Sequence, residues 1–363
     1  MAERSESLIN DTRKLEEFVG LTFSLFKKSQ VRKVLFESLN KGSLEASNYW
    51  VAEYISCGAF LDLWDVLLRF MSCHIHLGNP RLPIYLARRF QDFKNIAITD
   101  YASNQLDMRN STRIRQLFAE ITGVLCLSIK KNKIELIKLD KSGEFDITNI
   151  SSKLKAPSIK YAEAVFLDDD PKELFIAINE LGYNLSKDVK NTIVSCYWVE
   201  WILAYETACK KKKEKCICAK RSNMPVEGDA MFDVVFIIWE TIFKEVKNRN
   251  NKVLDEVIKS LCNLFCIRFS SSSKKKRKLL IYHAIALLCE TPNYNIKIFD
   301  NVNILQTIKK KIDLIYKQIK QNEIIESEEK LRNEEIEKQK ANNKNFANTL
   351  VKLEMMNNND FIK

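Results

Sequence analysis

The chain has 363 residues, 46% of them hydrophobic and 29% charged, enough to bury a substantial core. Only 8 glycines and 6 prolines argue against an all-β fold, which needs a turn about every ten residues. A net charge of +11 suits an anionic partner such as RNA or DNA, and the longest apolar runs, Val234 to Trp239 and Ala284 to Cys289, fall far short of the ~18 residues of a membrane span.

Residues 1–10 read as a disordered lead. Asn10 to Thr12 predict a cap for a helix reaching about Gln30, followed by a second over Val31 to Asn40 that Lys41-Gly42 stops. Ser43 opens a helix bearing Tyr49, Trp50 and Tyr54, and Gly58 ends it. From Ala59 to His76, the residues Phe60, Leu63, Trp64, Leu67, Met71 and Ile75 fall three and four apart, the mark of one buried helical face. Gly78-Asn79-Pro80 breaks that helix, and Leu82 to Lys94 forms the next, with Arg81, Arg88 and Arg89 on or beside it. Ser111 caps a helix expected to run through Ser128; a β-hairpin over 124–139 is the alternative.

Asp140 to Ala156 is rich in Ser, Lys and Asn and reads as a linker. Two short helices follow, at 158–167 and 171–181. Ser186 is the expected cap of a long helix to Lys211 with Ile193, Tyr197, Trp201 and Tyr205 as its stripe. Residues 209–228 read as a basic, Cys-bearing insertion, and Asp229 as the cap of an amphipathic helix on Phe232, Phe236, Trp239 and Phe243. A helix on Val257, Leu261 and Phe265 comes next, then a polar link from Ser270 to Lys278 and a buried helix from Leu279 to Cys289. Leu305, Ile308, Ile312, Ile315 and Ile319 make an a/d seam of two heptads, suited to pairing with another chain.

These elements predict an all-α protein: a two-lobed array of stacked helical hairpins, with a HEAT-like repeat as one form of it. The expected segments are an N-terminal lobe at 11–139, a linker at 140–156, a C-terminal lobe at 157–300, a protruding helix at 301–340 and a disordered tail at 341–363. Tyr49-Trp50-Val51 and Tyr197-Trp198-Val199 recur in the two lobes, which suggests one plan used twice.

The chemistry is mostly that of association. The closest glycines, Gly42 and Gly58, are too far apart for a P-loop or a dinucleotide fingerprint. The three histidines, His74, His76 and His283, match no catalytic motif. Cys73, His74 and His76 with Cys57, and separately Cys209, Cys216 and Cys218, are weak metal candidates without the spacing of a zinc module. Lysines beside the latter three would lower their thiol pKa values. Three basic clusters stand out: Lys210, Lys211, Lys212, Lys213 and Lys215 with Lys220 and Arg221; Lys274, Lys275, Lys276, Arg277 and Lys278; and Arg81, Arg88 and Arg89. Phosphate binding needs cation density more than fixed geometry, so these are the candidate nucleic-acid contacts. The Trp and Tyr stripes at 49–54 and 197–205 could stack bases, but at helical spacing inside apolar helices they are expected in the core.

Tyr49-Trp50-Val51-Ala52-Glu53, Leu63-Trp64, His74-Ile75-His76-Leu77-Gly78-Asn79-Pro80, and Tyr197-Trp198-Val199-Glu200-Trp201 followed by Cys209 to Lys213 together carry a resemblance. Over residues 15–290 the chain resembles a family of uncharacterised helical proteins of nucleocytoplasmic large DNA viruses. That resemblance implies a viral setting, in the factory of the host cytoplasm or in the virion. Cysteines lying mostly inside apolar stretches, with no signal peptide before Met1-Ala2-Glu3-Arg4, suggest a reducing, intracellular one without secretion. Residues 45–90 are also similar to the helical domain of clamp-loader-like ATPases. The expectation is a non-enzymatic scaffold or adaptor with no cofactor and no small-molecule substrate, binding other proteins and nucleic acid. A virion assembly protein using the 305–319 seam, and a translation-initiation scaffold or replication accessory factor, are the alternatives.

Overall fold

The computed structural model describes residues 6–325, apart from 103, 140–144 and 146. It is all-α, with no strand among the described residues. In chain order the main helices are α1 (Lys28–Lys41), α2 (Leu44–Ser56), α3 (Phe60–Phe70), α4 (Leu82–Asp100), α5 (Thr112–Leu127), α6 (Phe175–Leu185), α7 (Thr192–Lys212), α8 (Val235–Arg249), α9 (Lys252–Phe265), α10 (Ser271–Cys289) and α11 (Val302–Lys320). A π-helical turn at Met71–Ile75 and a 3-10 turn at His76–Gly78 follow α3. No described helix is long and apolar enough to cross a membrane.

The chain forms two compact units, and neither is a contiguous lobe. Of the described residues, unit 1 takes those within 6–70, 88–130 and 297–325, and unit 2 those within 71–87 and 131–296. The expected division into 11–139 and 157–300 therefore gives way to an interleaved one.

In unit 1, α2, α5 and α11 pack on one another, and α1 lies on α2 and α5. Trp50 and Trp64 are fully buried, Trp64 among Phe90, Phe93 and Phe118. Helix α11 closes on α5 at Gly123. A Cβ there would stand 2.6 Å from Leu305 Cδ2 and 3.3 Å from Ile308 Cδ1. The seam expected to bind another chain is thus filled within unit 1: Leu305, Ile308, Ile312, Ile315 and Ile319 are at most 3% exposed. An apolar stripe at heptad spacing demands a mate, and here α2 and α5 supply it. The expected protruding helix is instead a core element, and residues 326–363 lie outside the described part.

The described part of the expected lead, residues 6–10, is pinned as well, and residues 1–5 lie outside the described part. Ser7 and Ile9 are buried; Asn110 holds both polar groups of the Ile9 backbone, and Arg115 donates to the Ser7 carbonyl. Arg13 forks onto Asp11 between the rings of Phe18 and Phe23. The helix expected from Asn10 to Gln30 is reduced to a 3-10 turn at Leu15–Phe18, because Gly20 (φ 74°) and Leu25 (φ 62°) take left-handed conformations that end it.

Unit 2 is built on α6, which packs against α7 and α8, and on α10, which packs against α7, α9 and the turns at 71–78. Trp198 and Trp239 are fully buried and Trp201 is 4% exposed. Tyr197 and Trp198 meet edge to face at 5.1 Å and 77°, much as Tyr49 and Trp50 meet at 5.1 Å and 88° in unit 1. Several boundaries differ from expectation: the helix expected from 171 to 181 is Phe175–Leu185, and Phe232, expected on the face of α8, lies in a 3-10 turn before it. Asn191, not Ser186, caps α7, its side chain accepting from the Val194 N–H. Residues 270–278 are no link: Ser270 and Ser273 form a reciprocal capping box, and α10 runs unbroken through the basic cluster to Cys289.

Candidate nucleic-acid interface

The continuity of α10 sets the candidate site. Glu200, Leu203, Ala204, Thr207, Ala208 and Lys211 recur three and four apart on α7, so they share one face. Ser271, Lys274, Lys275 and Lys278 do the same on α10. The two faces flank a groove of about 830 Å³. Its third wall is a strap, residues 131–139, together with Phe145; Leu136, Leu139 and Phe145 are the side chains they supply to the lining.

The strap has no helical hydrogen bonds, yet it is fixed. The N–H groups of Lys131 and Ile134 donate to the carbonyls of His74 and Cys73 at 2.8 and 2.9 Å. His76 Nε2 sits 3.0 Å from the Asn132 carbonyl. The π-helical turn explains this pairing, since an irregular helix end leaves carbonyls free for the strap. Farther along, the Ile137 N–H donates to Tyr282 Oη, which donates to Glu200 Oε1 at 2.8 Å.

Among the described residues cations outnumber carboxylates around the groove. Lys274 Nζ lies 2.7–2.8 Å from both oxygens of Glu206 and of Asp233, with the residue 5% exposed. Burial pushes the Glu206 carboxyl up, but Lys274 and Lys210 together hold it below its ordinary value. Burial works against the Lys210 ammonium, and Glu206 with Asp233 raises it on balance. Lys278 pairs with Glu200. Among the described residues five lysines line the groove against Glu200 and Glu206, so even with Asp233 counted the excess there is positive. Lys211 and Lys275 are exposed and make no ion pair among the described residues. Lys212, Lys213 and Lys215 are exposed beyond them, where Lys213 (φ 61°) turns the chain out of α7.

The two lysine clusters, 210–215 and 274–278, thus meet at one groove. The other expected contacts do not all serve. Arg221 is 3% exposed, forked onto Asp170, paired with Glu240 and bonded to the carbonyls of Val165 and Ala219. Arg277 is also 3% exposed and donates to the carbonyls of Phe265 and Ile267, closing the end of α9. Lys274 is caged as described. These three are corrections: a buried cation whose donors are taken up by its own chain cannot meet a phosphate. Lys220 and Lys276 are exposed. Arg81 is exposed in unit 2, and Arg88 is exposed in unit 1, where Arg89 pairs with Asp92 and Glu120; none of the three lines the groove.

Cys209, Cys216 and Cys218 are all buried, and Cys218 Sγ donates to the Asp233 carbonyl. Burial pushes the thiols of Cys216 and Cys218 up to about 12, overturning the expectation that nearby lysines would lower them. Cys73 Sγ donates to the Ile134 carbonyl and Cys57 Sγ to that of Tyr54. Among the described residues no three His, Cys, Asp or Glu side chains are grouped so as to hold a metal ion.

Sequence reasoning missed Glu200, Glu206, Leu136, Leu139 and Phe145. A signal existed for the two glutamates: an acid inside a Trp-rich apolar helix needs a cation to be buried, and Lys-rich segments were the available source. Comparison with protein families, curated proteins and solved structures gives no match.

Proposed function

We propose that the protein is a non-enzymatic helical scaffold that binds nucleic acid through the unit 2 groove, in the viral setting that the resemblance implies. One observation carries the reading: lysine runs far apart in sequence converge on a single groove whose described residues carry excess positive charge. Lys211 and Lys275 are the primary phosphate contacts, and Lys212, Lys213 and Lys215 extend the surface. The assembly alternative loses its support, because the 305–319 seam is occupied within unit 1.

The test is binding of a labelled oligonucleotide to the full chain across a salt series. Each phosphate contact contributes a slope of about −0.7 to −0.9 in log K against log salt. Lys211→Glu with Lys275→Glu should weaken binding at least tenfold and flatten that slope. Affinity that ignores salt, or is unchanged in the double variant, would sink the proposal.

A further inference from the structure

We infer that the occupant is a single strand, with unpaired bases against the strap, and that a duplex is excluded. This rests on the nucleic-acid reading of the same groove. The lining is of two kinds. Among the described lining residues the cations come from α7 and α10, whereas the strap and Phe145 present Leu136, Leu139 and Phe145. Leu203 and Ala204 continue that apolar surface on α7. A duplex offers sugars and phosphates outward and keeps its base faces stacked inside, so it would leave the apolar wall without a partner. A single strand has both kinds of surface, phosphates for Lys211 and Lys275 and base faces for the wall.

Size agrees. A volume of about 830 Å³ falls in the range of sites that enclose small molecules, so it suits a nucleotide or two and not a double helix. The aromatic ring is also held in place. Phe145 is 39% exposed, yet its ring meets Trp201 at 5.3 Å and Tyr205 at 5.6 Å, both edge to face. Those two rings stack on each other at 5.5 Å and 7°. An exposed phenyl ring buttressed in this way is a prepared surface for a base. The carboxylates in the groove do not oppose the strand, because Glu200 and Glu206 are each paired with lysine.

The experiment compares a 12-nucleotide single strand, the duplex of equal length and a poly-glutamate peptide by fluorescence anisotropy on the full chain. The single strand should bind at least tenfold tighter than the duplex. Phe145→Ala should cost about tenfold for the single strand and nothing for the duplex, while Phe145→Tyr keeps the affinity. A 2-aminopurine in the strand should be quenched by the wild type and not by Phe145→Ala. Equal affinity for duplex and single strand, or indifference to Phe145→Ala, would overturn this inference and leave the salt-dependent groove standing. Failure of both nucleic acids would remove both proposals, and tighter binding of poly-glutamate that depends on Phe145 would reassign the groove to acidic proteins. The Lys211→Glu/Lys275→Glu protein is the second variant: its substitutions are exposed, so loss of single-strand binding with an unchanged melting curve supports the groove, and unchanged binding overturns it.

Discussion

Two buried ionisable side chains dominate unit 2 at the scale of single residues. Lys274 is surrounded by Glu206 and Asp233, and removing the cation leaves their carboxylates, 5% and 12% exposed, without it. Lys274→Met should cost about 3 kcal/mol in urea denaturation, the magnitude seen when one member of a buried pair is lost. His283 is fully buried beside Ser72, and burial with nearby His76 takes its pKa down to about 3. Its folded value lies below the unfolded one, so the unfolded chain takes up the proton first as pH falls. No penalty exists above about pH 6.5, and below it stability should decline by up to about 1.4 kcal/mol per pH unit toward pH 3. Glu206, also held below its free value, adds an acid-labile contribution that is whole above about pH 4.3 and lost as pH falls through the folded value. Denaturation midpoints between pH 7 and 5 should therefore fall in the wild type and fall less steeply in His283→Asn, where His76, also held below its ordinary value by burial, still titrates. Equal slopes would show that another group governs that limb.

Among the elements, periodicity reveals a helix and its apolar face but not what covers that face. The Trp-bearing helices α2, α3, α7 and α8 were legible because Trp50, Trp64, Trp198 and Trp239 sit at helical spacing among other apolar residues. The first two turns of α10 were not, because Ser271 to Lys278 has no apolar rhythm; its cap and the pairing of Lys274 and Lys278 with acids of other elements keep it helical. That one misreading hid the groove, since as a loop the lysines share no face. The seam on α11 was read correctly as a face and assigned to the wrong mate. Ile308 is fully buried between α11 and its neighbours, so Ile308→Ala should lower stability by about 3 kcal/mol. If the seam bound a second chain, the same change would lower the mass in solution and leave the monomer's melting temperature alone. The strap offers another check on an element. Glu200→Gln weakens the Lys278 pair and the Tyr282 link behind Ile137, so amide exchange at 134–139 should quicken several-fold while α7 stays protected.

For the molecule as a whole, both ends of the described chain belong to the same unit. The Thr12 N–H donates to the Ile324 carbonyl at 3.1 Å, and Ile324 N–H donates to Asp11. A protein cut after residue 296 should keep unit 2 intact, with slow amide exchange in α7 and α10, and lose protection across α2 and α5. Protection that survives in α2 and α5 would show that α11 is dispensable to that core.

The interleaving has a bearing on how the polypeptide is made. Helices α2 and α5 emerge from the ribosome early, but their covering helix begins only at Val302. At ordinary translation rates that interval is on the order of ten seconds. The second unit begun is the first one completed, while the opening third of the protein waits with greasy surfaces uncovered. Chaperone demand during synthesis should accordingly concentrate on nascent chains that have passed Leu127 and not yet reached Lys320.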